Sequence, residues 1–239
     1  MKYYRLTILL LSAMATLGFT SCINCVEPIG EILTENRSID NFTKLEVGIP
    51  ANIKIVTSDS AKITISSYES FLSEITSTVK RGKLRLTGNL CNINKNEINI
   101  AITVPGLSSI DINGSARVFS ETPVKTDKLS LNINGSGQIT LNVFANDIVN
   151  TISGTGIIIV NGTTQNLNVK INGSGEFKGL GLNTYKAQVT IKGSGNASVV
   201  ALNRLVAKVD GSGEIIYTGE PEIKTKISGS GKVTKITNY

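Results

Sequence analysis

Apolar and polar positions alternate through most of this chain, and in its second half the alternation itself repeats. Leu131-Asn132-Ile133-Asn134 runs into Gly135-Ser136-Gly137 and then into Gln138-Ile139, and variants of this unit occur seven times. The corners begin at Gly114, Gly135, Gly154, Gly173, Gly193, Gly211 and Gly229, at intervals of 21, 19, 19, 20, 18 and 18 residues. Two residues before each corner stands an aliphatic side chain: Ile112, Ile133, Ile152, Ile171, Ile191, Val209 or Ile227. Four residues after each first glycine stands Val118, Ile139, Ile158, Phe177, Ala197, Ile215 or Val233. Alternate side chains of a strand face one way. If each unit is one coil, and coils stack about 4.8 Å apart by strand pairing, both sets become ladders inside one narrow core. A single coil cannot bury such a core and gains it only by stacking. The pattern therefore predicts an all-β parallel β-helix, or β-solenoid, with 18–21-residue coils and Gly-Ser-Gly corners. Glycine suits such a corner because it permits positive φ and close backbone approach. A flexible linker would not carry two unbroken aliphatic ladders, and consecutive Asn-Gly hairpins would give a shorter repeat.

The rest of the chain is less regular. Residues 39–106 are rich in alternating segments such as Leu45-Glu46-Val47 and Lys83-Leu84-Arg85-Leu86, but they lack the corners. Two readings stay open for them: the first coils and cap of the stack, or a separate small β-domain. Ser66 to Thr78 is the one candidate short helix. Residues 22–38 are expected to be a tether and residues 107–239 the regular coils. Lys224, Lys226, Lys232 and Lys235 crowd the last coil, as a guarded strand edge requires. Residues 1–21 have the form of a lipoprotein signal peptide. Lys2 and Arg5 precede an apolar stretch, Leu6 to Leu17, that is short against the roughly 20 residues of a membrane span. Gly18-Phe19-Thr20-Ser21-Cys22 resembles a bacterial lipoprotein processing site, which makes Cys22 the expected lipidated residue and the membrane a partner through that anchor. Such a protein faces either the periplasm or the outside. Cys25 and Cys91 either pair in an oxidising envelope or stay free.

Candidate chemistry is sparse. The sequence has no histidine, which excludes His-based triads and the usual His-containing metal sites. No cofactor is expected. Gly173-Ser174-Gly175-Glu176-Phe177-Lys178-Gly179 lacks the glycine spacing of a phosphate loop and has no following helix to hold a phosphate. The net charge of +6 arises from 24 basic and 18 acidic residues, and no aromatic stacking platform accompanies it, so nucleic acid is not an expected partner. Stacking sets two outward rows. One follows the corners and holds Glu176 and Glu214, a candidate acidic pair two coils, roughly 10 Å, apart, slightly wider than an inverting glycosidase pair. The other precedes the corners and holds Asn132, Thr151, Lys170, Thr190 and Lys208, a candidate surface row that would grip a polymer through many weak contacts.

With their Ile-Asn-Gly-Ser-Gly form, the seven corners resemble the family called putative auto-transporter adhesin, head GIN domain, over roughly Phe42 to Thr237. That resemblance implies a right-handed parallel β-helix in a Bacteroidetes envelope, reminiscent of pectin-lyase folds without their catalytic residues. Ala116 in the first corner and Thr155 in the third depart from the pattern. Asp59-Ser60-Ala61 resembles the O-glycosylation site of exported Bacteroidetes proteins, making Ser60 a candidate modification site. The expected function is a non-enzymatic cell-envelope lipoprotein of the outer membrane, an adhesion or glycan-binding scaffold whose partners are cell-surface glycans or host and envelope proteins. Two alternatives stand beside it. One is a polysaccharide-active enzyme using Glu176 and Glu214. The other is a structural component that forms homo-oligomers through its coil ends or flat faces.

Overall fold

The structure, a computed structural model, describes residues 25–93 and 97–237. The signal-peptide and Cys22 expectations lie outside those residues. The chain forms a β-solenoid of about seven turns with coils of about 19 residues.

The irregular region comes first: β1 (Ile32–Ser38), β2 (Lys44–Val47), β3 (Asn52–Thr57), β4 (Lys62–Tyr68), the helix α1 (Glu69–Glu74), β5 (Thr76–Lys80), β6 (Lys83–Thr87) and β7 (Asn99–Val104). Its coils do not stack in chain order. β2 and β3 form one coil lying between two later ones. On one side β2 pairs with β6 and β3 with β7; on the other β2 pairs with β8 (Ser109–Gly114) and β3 with β9 (Arg117–Ser120), all parallel. One core runs without a break from Phe42 to Ile215. At the outer side of this region the sheets turn antiparallel, with β5 on β6, β4 on β7 and β1 on β4. α1 folds over that end and buries Phe71 and Leu72. It is shorter than the expected Ser66–Thr78 because both flanks are taken into strand ladders, Ser66–Tyr68 in β4 and Thr76–Thr78 in β5. The tether expectation for residues 22–38 is corrected likewise: Ile32–Ser38 is a strand, in register with β4 throughout. Ahead of it Cys25 and Cys91 are disulfide-bonded, and Val26 bridges Leu90.

The regular coils follow as β10 (Val124–Gly135), β11 (Gln138–Gly154), β12 (Ile157–Gly173), β13 (Glu176–Gly179), β14 (Leu182–Gly193), β15 (Asn196–Val200), β16 (Arg204–Gly211), β17 (Glu214–Thr218), β18 (Glu222–Ser228) and β19 (Lys232–Lys235). Both aliphatic sets are true ladders. Ile112, Ile133, Ile152, Ile171, Ile191, Val209 and Ile227 are strand partners in series. So are Val118, Ile139, Ile158, Phe177, Ala197, Ile215 and Val233. All but the last member of each are buried; in the outermost coil Ile227 is 46% exposed. Lys224, Lys226, Lys232 and Lys235 lie on that open coil, and Lys235 pairs with Glu220 at 2.6 Å.

The corners owe their composition to the coil beneath. The Ser174 N–H donates to the Gly154 carbonyl at 3.0 Å, and the Glu176 N–H donates to the Gly156 carbonyl at 2.9 Å. This close stacking leaves no room on the inner side. A Cβ on Gly173, whose φ is +123°, would stand 2.6 Å from the Gly154 carbonyl oxygen. The middle residue points outward, so Thr155 is accommodated. Ala116 has a different reason. Strand register sets its corner above Gly48-Ile49-Pro50-Ala51, where no Gly-Ser-Gly exists, and Ala116 is buried there.

A second corner carries no glycine signature. Along β11 the buried positions are Ile139, Leu141 and Val143, then Ile148, Asn150 and Ile152, so the inward parity switches near Asn146-Asp147. The same switch occurs in β12 between Thr164 and Leu167 and in β14 between Thr184 and Ala187. Polar side chains bridge this corner coil to coil, with Asn146 Nδ2 donating to Asp127 Oδ1 at 2.5 Å and Asn166 Nδ2 to Asp147 Oδ1 at 2.9 Å.

Candidate functional site

Between the second corner and the Gly-Ser-Gly corner runs one flat sheet face, and outward residues two apart along a strand share that face. Three parallel rows result. Nearest the second corner stand Lys128, Asp147, Asn166, Lys186 and Arg204, in register on successive coils. Two residues on, Ser130, Val149, Asn168, Gln188 and Val206 form a middle row, and two further on lies the expected binding row of Asn132, Thr151, Lys170, Thr190 and Lys208. Val149, Asn168, Gln188 and Val206 of the middle row floor an open furrow of about 570 Å3 with the first row as its wall, and the third row lies beyond that floor. The furrow spans four coil steps, roughly 19 Å. The first and third rows stand four residues, roughly 13 Å, apart along the strands.

The structure thus brings the five expected row residues into one line. Asn132 is already engaged, since its Nδ2 donates to Asp111 Oδ1 at 2.7 Å. Lys170 and Lys208 are exposed, and neither they nor Thr151 and Thr190 make a side-chain hydrogen bond among the described residues. Sequence reasoning missed the facing wall, Lys128, Lys186 and Arg204. The available signal was the parity switch after Val143, followed at a fixed offset by charged residues.

Glu176 and Glu214 are not brought together. They are separated by Asn196 in the ladder, two coil steps or roughly 10 Å apart. Glu176 pairs with Lys178 at 3.2 Å, and Glu214 Oε1 accepts from Thr234 Oγ1 at 3.1 Å. They stand on the other side of the Gly-Ser-Gly corner from the furrow. Ser60 lies on an exposed turn between β3 and β4. Among the described residues no cluster of three or more Cys, Asp and Glu is placed to hold a metal ion.

A smaller depression of about 460 Å3 flanks the second corner, with Phe144, Tyr185 and Leu202 exposed around Thr163, Gln165 and Asn183. Tyr185 carries Lys186 Nζ 5.7 Å from its ring centroid.

Charge is distributed unevenly along the stack. Near the capped end four cations are paired: Arg37 with Glu35, Lys54 with Glu121, and Lys83 and Arg85 with Glu46. The hydrogen bond from Lys83 holds the Glu46 carboxyl below its ordinary value, against the opposing effect of burial, and the same bond raises Lys83. Lys128, Lys186 and Arg204 in the furrow wall, and Lys170 and Lys208 in the row beyond its floor, are exposed and form no ion pair among the described residues.

A known family matches residues 41–221, which span most of the solenoid. The chain belongs to the family described as "Putative auto-transporter adhesin, head GIN domain". A crystal structure of a putative adhesin from Bacteroides fragilis is 24% identical and superposes with a TM-score of 0.83 over 88% of this chain and 100% of that one. A putative lipid binding protein from Parabacteroides distasonis is 24% identical, with a TM-score of 0.73 over 89% and 100%. A putative adhesin from the same species is 20% identical, with a TM-score of 0.70 over 89% and 100%. At these identities the likeness carries the fold. Among curated proteins none matches the chain.

Proposed function

We propose that this protein is a non-enzymatic cell-envelope lipoprotein that serves as an adhesion scaffold and binds glycan along its polar sheet face. The observation that carries this reading is the sheet face of three outward rows, in register over five coils, with an open furrow along two of them. Such a surface gains affinity from many weak contacts and needs no enclosed pocket. Family membership supports an adhesin-like role without naming a ligand. The disulfide between Cys25 and Cys91 fits an oxidising compartment. If Cys22 is the lipidated residue, only Ile23 and Asn24 separate the anchor from that disulfide, so the capped end of the stack sits at the membrane and the open end projects away. The wide, individually partnered Glu176 and Glu214 lend no support to the enzymatic alternative.

Two measurements test the proposal together. Protease shaving of intact cells should remove the protein if it faces outward, and a deletion strain should adhere less to glycan-coated surfaces than its parent. A purified protein that binds nothing on a broad glycan array, together with unchanged adhesion of the deletion strain, would overturn it.

A further inference from the structure

Cations that a fold leaves unpaired on one face are available to something else. Near the capped end four cations have a carboxylate beside them, as Lys83 has Glu46 at 2.9 Å and Lys54 has Glu121 at 3.1 Å. The polar face of the regular coils has no such pairs among the described residues. Lys170, Lys186, Arg204 and Lys208 gather on three adjacent coils, β12, β14 and β16, and Lys128 stands at the far end of the same wall. The one carboxylate in the furrow, Asp147, accepts from Asn166 Nδ2. Glu222 follows Arg204 on the next coil without pairing with it. Like charges one or two coil steps, about 5–10 Å, apart repel one another. A bound polyanion relieves that repulsion and gains attraction from each cation.

We propose that the furrow binds a linear acidic polysaccharide, whose carboxylates or sulfates are held by Lys170, Lys186, Arg204 and Lys208. This inference rests on the glycan-binding reading above and names the chemistry of the glycan. The shape selects a chain over a compact anion, because Lys128, Lys186 and Arg204 line one wall of a long trough floored by Val149, Asn168, Gln188 and Val206, and Lys170 and Lys208 stand in the outward row beyond that floor. The chain runs along the solenoid axis and crosses the strands. Each coil step then presents a new set of side chains to it, so affinity grows with the number of coils engaged. A membrane surface fits less well. Docking to lipid headgroups is strengthened by apolar side chains that insert among them, whereas Val149 and Val206 lie half-buried in the floor and the exposed Phe144, Tyr185 and Leu202 stand on the far side of the second corner. Single-stranded nucleic acid requires stacked aromatics along the groove, and the furrow rows contain none.

The test is a titration of the purified protein with polygalacturonate and chondroitin sulfate, against dextran as a neutral polymer and phosphatidylglycerol vesicles as an anionic surface. Both acidic polymers should bind and dextran should not, and raising salt from about 50 to about 300 mM should weaken binding at least tenfold, since exposed charges are screened. The triple substitution Lys186→Gln, Arg204→Gln, Lys208→Gln should weaken it a further tenfold or more. Lys54→Gln, a paired cation near the capped end, should leave it unchanged. Equal binding by the triple variant would overturn the inference, as would binding to the vesicles but to neither acidic polymer. Binding of neutral glycans with no response to the acidic ones would overturn it while leaving the glycan-binding scaffold intact. Failure to bind any glycan would remove both.

Discussion

Asn150 stands between Leu131 and Val169 in an inner column that is otherwise apolar from Leu45 to Ala207, and is fully buried. Its amide donates to the Asn168 carbonyl at 3.4 Å, while its Oδ1 has no partner. A buried polar atom left unsatisfied costs about 1–3 kcal/mol. Asn150→Leu, similar in shape, should therefore raise the stability read from a urea titration by about 1–2 kcal/mol; an unchanged or lower midpoint would mean that the amide is needed where it is. The corners give a sharper contrast. Gly173 and Gly114 have nearly the same φ, +123° and +131°, but a Cβ meets the Gly154 carbonyl at Gly173 and open space at Gly114. Gly114→Ala should cost about 1–3 kcal/mol for its conformation alone. Gly173→Ala should cost clearly more, because the backbone of the coil beneath must also move. Thermal unfolding of the two variants side by side would expose an error in this account if they melted together. At this scale the sequence was readable. Alternation identified both ladders, and the seven corners marked where glycine is required, because each local rule is repeated by the next coil. The exception, Ala116, depends on what lies under it, and no local pattern shows that.

At the scale of elements, the interlocked coils are tied by charge. Glu46 on β2 reaches across to β6, with Oε2 2.9 Å from Lys83 Nζ and Oε1 3.0 Å from Arg85 Nε. Lys83 also stands 3.6 Å from Asp111 on β8, so one cluster joins three coils. The Glu46 carboxyl is held below its ordinary value of 4.5, chiefly by the hydrogen bond from Lys83. Its stabilisation is therefore complete above pH 4.5 and is lost as pH falls through the lowered value. Lys83 is raised from 10.5, so its share is present below that pH and disappears as pH climbs through the raised value. Solvent screens this partly exposed cluster, and Glu46→Gln should cost only about 0.5–1 kcal/mol at pH 7. The difference between variant and parent should shrink as pH drops below 4.5; a constant difference in unfolding free energy from pH 7 to pH 3 would contradict the assignment. The stacking order that makes this cluster was not legible. Leu45-Glu46-Val47 and Leu84-Arg85-Leu86 alternate in the same way as Ile110-Asp111-Ile112, so any of them fits on any other. β1 escaped notice because none of its residues is buried, and the furrow wall escaped because the second corner turns without glycine.

Taken whole, the molecule is a rod whose middle coils are interchangeable. Removing residues 155–173 would join Gly154 to Ser174, restore a Gly-Ser-Gly corner and keep both ladders, so the shortened chain should fold with cooperative unfolding. Its furrow would be one coil step, about 4.8 Å, shorter. A chain of that design without a cooperative transition in circular dichroism would show that the coils are less independent than their register suggests. The two ends are not interchangeable: one is closed by α1 and antiparallel strands, while β18 at the other is exposed along its whole length. The coil of β2 and β3 adds a temporal asymmetry. It has neighbours on both sides only after Ser120 has been made, because β6, β7, β8 and β9 all follow it in the chain. A growing polypeptide must hold that coil incomplete through a long stretch of synthesis and then close it from both sides. From β10 onward each coil pairs with one that precedes it in the chain, so there the order of synthesis and the order of stacking coincide.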